Sequence, residues 1–181
     1  MTPRGEQRRG RAQVQRSPEA SLSILRRPGP LALAWLVTIS IDFLVFGGVL
    51  AGILEDGHPA ILGETDLFRR IPAGYLSFLA EIGLLAWCID SSRVYGPWGG
   101  ARVGGVVGLG FGAALSMGVW SFSSVPVTVL AAWWLTLLLQ LTAAGALLGT
   151  VGHPRWRTAR RLAVGGSIVT VVIGLIAQNL H

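Results

Sequence analysis

Five apolar stretches follow one another along the chain, separated by short polar segments. They cover residues 31–54, 71–89, 103–123, 126–150 and 162–180. A helix needs roughly 20 mostly apolar residues to cross about 30 Å of hydrocarbon, and each stretch has about this length. The pattern therefore predicts an all-α integral membrane protein, a bundle of five transmembrane helices.

The third and fourth stretches almost adjoin, so four helices are the alternative count. The sequence Ser-Phe-Ser-Ser-Val-Pro occupies residues 121–126 between them. The residue before a proline disfavours helical backbone, and serine clusters are typical of turns. We therefore predict a tight helical hairpin at this point.

Residues 1–30 differ sharply from residues 31–181, the predicted polytopic transmembrane domain. They contain seven arginines against only Glu6 and Glu19, among scattered Gly, Pro, Ser and Gln. This composition predicts a basic, mostly disordered tail, with a short interfacial helix over residues 20–27 as the alternative. The apolar stretch that follows is too long for a signal peptide and lacks a small-x-small cleavage site.

Composition supports a membrane protein and excludes several kinds of chemistry. The chain is 51% hydrophobic and 13% charged, with a mean hydropathy of +0.57. Its fifteen basic residues are all arginine, which excludes chemistry that needs a lysine amine, such as a retinal or pyridoxal Schiff base. The single cysteine, Cys88, can form neither an internal disulfide nor a CxxC metal pair.

The arginines predict the orientation. With a cytoplasmic amino terminus, only Arg69 and Arg70 fall outside and the other thirteen arginines fall inside, as the positive-inside rule requires. The carboxyl terminus is then external, and we expect a multi-pass protein of a bacterial inner membrane. The high pI, near 11.2, then reflects arginines beside anionic headgroups, and we expect no nucleic-acid partner.

Small residues recur at helical spacing within four of the stretches. Such faces let neighbouring backbones approach closely, so we predict a compact bundle, with self-association or another membrane protein as possible partners besides the lipid bilayer. Sliding helices of a transporter are the alternative, although no internal repeat supports one. The predicted packing glycines are Gly48, Gly52, Gly104, Gly108, Gly112, Gly145, Gly149, Gly166 and Gly174.

Few polar groups lie inside the stretches. Asp42 lies eleven residues after the start of its stretch, and Glu81 lies ten residues after the start of its own. Each is therefore about 15 Å deep, near the bilayer midplane. A central carboxylate costs about 3 kcal/mol of insertion free energy. The more apolar first stretch offsets this cost for Asp42, but the second does not for Glu81, so Glu81 should not face lipid. We expect a candidate polar site composed of Asp42, Glu81 and Gln140 with the hydroxyls Thr38, Ser77 and Thr136, each four residues before one of them.

No basic residue lies in the central part of any stretch, so an intramembrane salt bridge is not expected. Two neighbouring carboxylates would share a proton or accept a cation. Our first interpretation is structural: a protonated pair hydrogen-bonded to Thr38, Ser77 or Gln140, in a non-catalytic accessory or structural membrane component. The alternative is a proton- or cation-coupled transporter that uses Asp42 and Glu81.

The sequence offers little for catalysis or cofactors. It contains no HExxH, GxSxG or GxxxxGK[ST] motif, and an acid pair without a nucleophile makes an enzyme the third choice. The loop with Glu55, Asp56, His58, Glu64 and Asp66 has ligands for a metal, but we interpret it as a solvated acidic loop. We therefore expect no catalytic residue, metal or cofactor.

Overall fold

A computed structural model of the chain describes residues 23–49 and 64–179. Within these residues every regular element is a helix, and five helices are long and apolar enough to cross a membrane. The prediction of an all-helical, membrane-type chain is thus confirmed. The helices are α1 (Pro28–Asp42, continued by a π-helix over Phe43–Val49), α2 (Glu64–Ser92), α3 (Pro97–Phe122), α4 (Val127–Gly149) and α5 (Trp156–Gln178).

Three helices begin well before the apolar stretches that predict them. In α2 the helix starts at Glu64 and continues through Pro72, and α3 and α5 also start six residues early. Hydropathy marks only the part of a helix suited to hydrocarbon, whereas backbone hydrogen bonding continues into the polar flanks. In α1, helix begins at Pro28, because proline fits the first helical position. Residues 50–54 lie outside the described residues.

The α3–α4 hairpin is the closest helix pair of the bundle. A four-residue connection, residues 123–126, joins the two helices. A Cβ at Gly104 would collide with the carbonyl oxygen of Leu141, and one at Gly100 with that of Gly145. The two backbones therefore touch, as small residues allow in membrane helices.

The other glycines of this hairpin lie in the same contact. A Cβ at Gly108 would lie 2.9 Å from the Cα of Leu138, and one at Gly112 would lie 2.6 Å from the Trp134 ring. On α4, a Cβ at Gly149 would collide with the Gly96 carbonyl oxygen. The helices thus stay close over about four turns.

A second close contact joins the π-helix to α5. A Cβ at Gly48 would lie 3.2 Å from the Cα of Gly174, and the Phe43 ring lies against Gly174 as well. By contrast, a Cβ at Gly166 would meet no atom within 4 Å, so this glycine makes no close helix contact here. Gly52 lies outside the described residues.

The core lies where α1, α2 and α4 meet. Its fully buried side chains include Ala34, Ile82, Leu85, Ala86, Ile89, Leu141, Ala144 and Leu148.

Hydrogen bonds join the helix ends at one end of the bundle. The backbone N–H of Ile24, in a short 3₁₀ turn (Ile24–Arg26), donates to Oδ2 of Asp90 at 2.9 Å. Ile24 is only 1% exposed, and Gly96 N–H donates to the Gly149 carbonyl at 2.7 Å. Residues 23–30, assigned to the tail from sequence, thus include a docked turn and the start of α1. Residues 1–22 of the predicted disordered tail lie outside the described residues.

Candidate functional site

The side chain of Gln140 links α4 to α1. Its Nε2 donates to the carbonyl oxygen of Thr38 at 3.2 Å and to Oδ1 of Asp42 at 3.4 Å. Gln140 is 2% exposed and Thr38 is 1% exposed, whereas Asp42 is half-buried. We call Thr38, Asp42 and Gln140 the polar clamp. It brings together three of the six residues that the sequence placed in one polar site.

The three predicted hydroxyls bond within their own helices. Thr38 Oγ1 donates to the Trp35 carbonyl, Ser77 Oγ to the Gly74 carbonyl, and Thr136 Oγ1 to the Ala132 carbonyl, each at 2.7 Å. Ser and Thr often back-bond to the preceding helical turn in this way. Thr38 therefore contributes its carbonyl to the clamp, while the Ser77 and Thr136 hydroxyls contribute nothing to either carboxylate.

Glu81 lies near the polar clamp without joining it. Its carboxylate is half-buried on α2, and its charge and that of Asp42 are close enough to interact. Within residues 23–49 and 64–179, Glu81 has no hydrogen bond or ion pair. The structure thus places the two carboxylates in one region, but only Asp42 has a direct polar partner.

Two further contacts around the clamp could not be predicted from the sequence. The indole N–H of Trp35 donates to the carbonyl of Tyr75 at 2.7 Å and so ties α1 to α2. The Phe46 ring packs edge-on against Trp133, with 6.4 Å between centroids, and ties the π-helix to α4. A buried indole N–H normally finds an acceptor, but nothing in the sequence identifies Tyr75 as that acceptor.

The π-helix begins directly after Asp42. It spans Phe43–Val49 and includes Gly47 and Gly48. π-helical turns are uncommon and often lie at functional sites. This element therefore distinguishes the segment directly after Asp42 from the regular α-helix that precedes it.

The described residues offer little for metal binding or thiol chemistry. Among residues 23–49 and 64–179, no three His, Cys, Asp or Glu residues cluster as metal ligands would. Of the acidic loop, Glu55, Asp56 and His58 lie outside the described residues, and Asp66 is exposed. Cys88 is a free, half-buried thiol.

Comparison of the chain with known protein families, with curated proteins and with solved structures finds no match.

Proposed function

We propose that this chain is a non-catalytic, multi-pass membrane protein that serves as an accessory or structural component, and that its polar clamp holds α1 against α4. The observation that carries the proposal is the pair of bonds from Gln140 to Thr38 and Asp42. An amide buried in a membrane protein stabilises a helix pair only where its donors find acceptors. The partners we propose are the lipid bilayer and a second copy or another membrane protein, not nucleic acid.

The pattern of bonding around the clamp supports a structural role. The nearby hydroxyls are bonded to their own helices, and the Trp35 indole is bonded across to α2. Polar groups arranged in this way keep helices in register. A transport site instead needs polar groups that are available to a passing ion.

We also propose an inner-membrane location with a cytoplasmic amino terminus. Among the described residues, Arg69 and Arg70 lie near the start of α2, at the end of the bundle opposite the docked turn. The remaining arginines all flank the end where α1, α3 and α5 start. They are Arg26, Arg27, Arg93, Arg102, Arg155, Arg157, Arg160 and Arg161. This segregation supports the proposed orientation by the positive-inside rule.

The structural role predicts that Gln140→Leu destabilises the bundle, because Asp42 and the Thr38 carbonyl lose their cross-helix donor. Hydrogen bonds between membrane helices contribute about 0.6 kcal/mol on average and up to about 1.7, so we expect a loss near 1 kcal/mol. The free energy of unfolding in mixed micelles measures it. The matched control is Gln178→Leu, in the exposed last turn of α5, and equal effects of the two changes would contradict the clamp.

The second candidate function is a proton or cation carrier. The observation that favours it is the half-buried Glu81 carboxylate, which lacks a described partner and lies within electrostatic reach of Asp42. The adjoining π-helix adds an irregular element beside the two carboxylates.

A measurement of ion flux into liposomes that contain the protein distinguishes the structural role from the carrier. For a structural protein, we expect vesicles with the full chain to take up protons, Na⁺ or K⁺ no faster than empty vesicles. Asp42→Asn should keep an acceptor for Gln140 and leave the free energy of unfolding within about 0.5 kcal/mol. If the native chain carries an ion, and Asp42→Asn and Glu81→Gln both stop it while the fold persists, the carrier replaces our proposal.

A further inference from the structure

A groove lies between α1 and α5, away from the polar clamp. Val37 and Ser40 on α1 and Leu162, Gly166, Ser167 and Thr170 on α5 line it, and it encloses about 210 Å³. A water molecule occupies about 30 Å³ in the liquid, so the groove has room for a small ring but not for a whole drug-sized molecule. Leu162 is 70% exposed on its rim, so the groove opens sideways toward the surrounding lipid.

Two hydroxyls in this groove lack the backbone hydrogen bond that several other helical hydroxyls make. Thr38, Ser40 and Thr142 each donate to a carbonyl three or four residues earlier in their own helix. Ser167 is only 6% exposed, yet its Oγ has no hydrogen-bond partner within the described chain. Thr170, one turn further on, has none there either.

Unpaired donors are costly at this depth. Ser167 lies five residues after Leu162, the first residue of the apolar stretch in α5, which places it about 8 Å inside the hydrocarbon boundary. Water is absent from the hydrocarbon interior, and a polar group without a partner costs several kcal/mol there. A lipid-soluble molecule that brings an acceptor oxygen into the hydrocarbon interior would satisfy these donors.

The depth of Ser167 and the uncharged lining of the groove limit the class of molecule that can bind there. The ester carbonyls of phospholipids lie at the hydrocarbon boundary, about 8 Å along the helix from Ser167, which is beyond the length of a hydrogen bond. The described lining contains no charged side chain, so the molecule is uncharged. An isoprenoid quinone meets these conditions, because it is a neutral ring with carbonyl acceptors on an apolar tail.

We propose that the groove between α1 and α5 binds the ring of a membrane quinone, with Ser167 and Thr170 donating to a ring carbonyl. The ring lies against Val37 and Leu162, and the tail extends into the bilayer through the open side. This site is independent of the polar clamp, so it can be right or wrong separately from the proposed function.

Two neighbouring glycines provide the test. Gly165 and Gly166 are both exposed, and a Cβ at either would meet no atom within 4 Å, but only Gly166 lines the groove. Gly166→Leu therefore fills the groove, while Gly165→Leu adds the same side chain beside it. The probe is a decyl-substituted benzoquinone, and decylbenzene is the comparison without an acceptor. The full chain is purified in micelles, and the unfolding temperature is measured against the mole fraction of probe, because a ligand of the native state raises it.

We expect a saturable rise in unfolding temperature with the quinone for the native chain and for Gly165→Leu, and none for Gly166→Leu. Ser167→Ala and Thr170→Val should each raise the half-saturating mole fraction about fivefold, the effect of one ordinary hydrogen bond. These two substitutions add no bulk, so they keep the test decisive should Gly166→Leu fail to fold.

Three results overturn the proposal. An equal rise with decylbenzene means that the groove takes only an acyl chain. Equal binding by Gly165→Leu and Gly166→Leu places the quinone elsewhere. A native dimer that Gly166→Leu dissociates, without saturable quinone binding, makes the groove a contact with a second copy.

Discussion

At the scale of single residues, a few polar side chains fix how α1 sits in the bundle. The Gln140 side chain on α4 donates a hydrogen bond to α1, and the Trp35 side chain on α1 donates one to α2. Both donate to backbone carbonyls, Gln140 to that of Thr38 and Trp35 to that of Tyr75. Such bonds depend on the position of a backbone more than on the identity of the residue that carries the carbonyl.

The Trp35 indole gives a test at this scale. Trp35→Phe keeps an aromatic ring but removes the N–H that donates to Tyr75 at 2.7 Å. We expect the free energy of unfolding to fall by about 1 kcal/mol, the usual net contribution of one hydrogen bond. Trp120→Phe, at a 62% exposed position, should change it by less than half as much. If the two variants unfold alike, the indole bond contributes nothing to holding α1 on α2.

The sequence predicted how deep Asp42 and Glu81 lie along their helices, but not how those helices are rotated. It placed Asp42 and Glu81 at one depth and grouped Gln140 with them, but helix rotation decided which of the three meet. The helices are turned so that Gln140 reaches Asp42, whereas Glu81 has no hydrogen bond to either within the described residues. The hydroxyls of Ser77 and Thr136 share a helix face with Glu81 and Gln140, yet each takes a closer acceptor in its own helix.

At the scale of elements, glycines set the distance between helices. In the α3–α4 hairpin, they allow the two backbones to touch. Between the π-helix and α5, Gly48 and Gly174 do the same over a shorter length. In the hairpin these contacts leave no room for a methyl group on either helix, whereas a methyl group at Gly48 would require its neighbours to shift slightly.

Two alanine substitutions on α3 test this close packing. Gly104→Ala places a Cβ against the Leu141 carbonyl, whereas Gly110→Ala meets nothing within 4 Å. We expect Gly104→Ala to reduce the free energy of unfolding by about 1 to 3 kcal/mol through overpacking. Gly110→Ala should be neutral or raise it by up to about 1 kcal/mol, because alanine favours helix. If Gly104→Ala leaves the free energy of unfolding unchanged, the two backbones do not touch at this position.

At the scale of the whole molecule, most of the described arginines lie at the end of the bundle where hydrogen bonds join the helix ends. The docked turn at Ile24 and the Gly96–Gly149 bond lie at the arginine-rich end. An exposed serine marks each end, Ser92 at the arginine-rich end and Ser124 in the α3–α4 connection. The two ends of the molecule can therefore be labelled separately.

The proposed orientation predicts opposite accessibility of these two serines. In a Cys88→Ala background, Ser124→Cys should react with an impermeant thiol reagent added outside intact cells. Ser92→Cys should react only after the membrane is permeabilised. The reverse pattern would show that the arginine-rich end faces outward and that the amino terminus is external.

The sequence by itself determined the class of this protein. Apolar stretches long enough to cross hydrocarbon can only be helical there, and the X-Pro step separated α3 from α4. Only the tertiary structure decided the π-helix after Asp42, the docking of Ile24 on Asp90, the closeness of Asp42 to Gln140 and the open side of Gly166. The physical reason is that hydropathy and depth are properties of one helix, whereas contacts depend on how neighbouring helices rotate and approach.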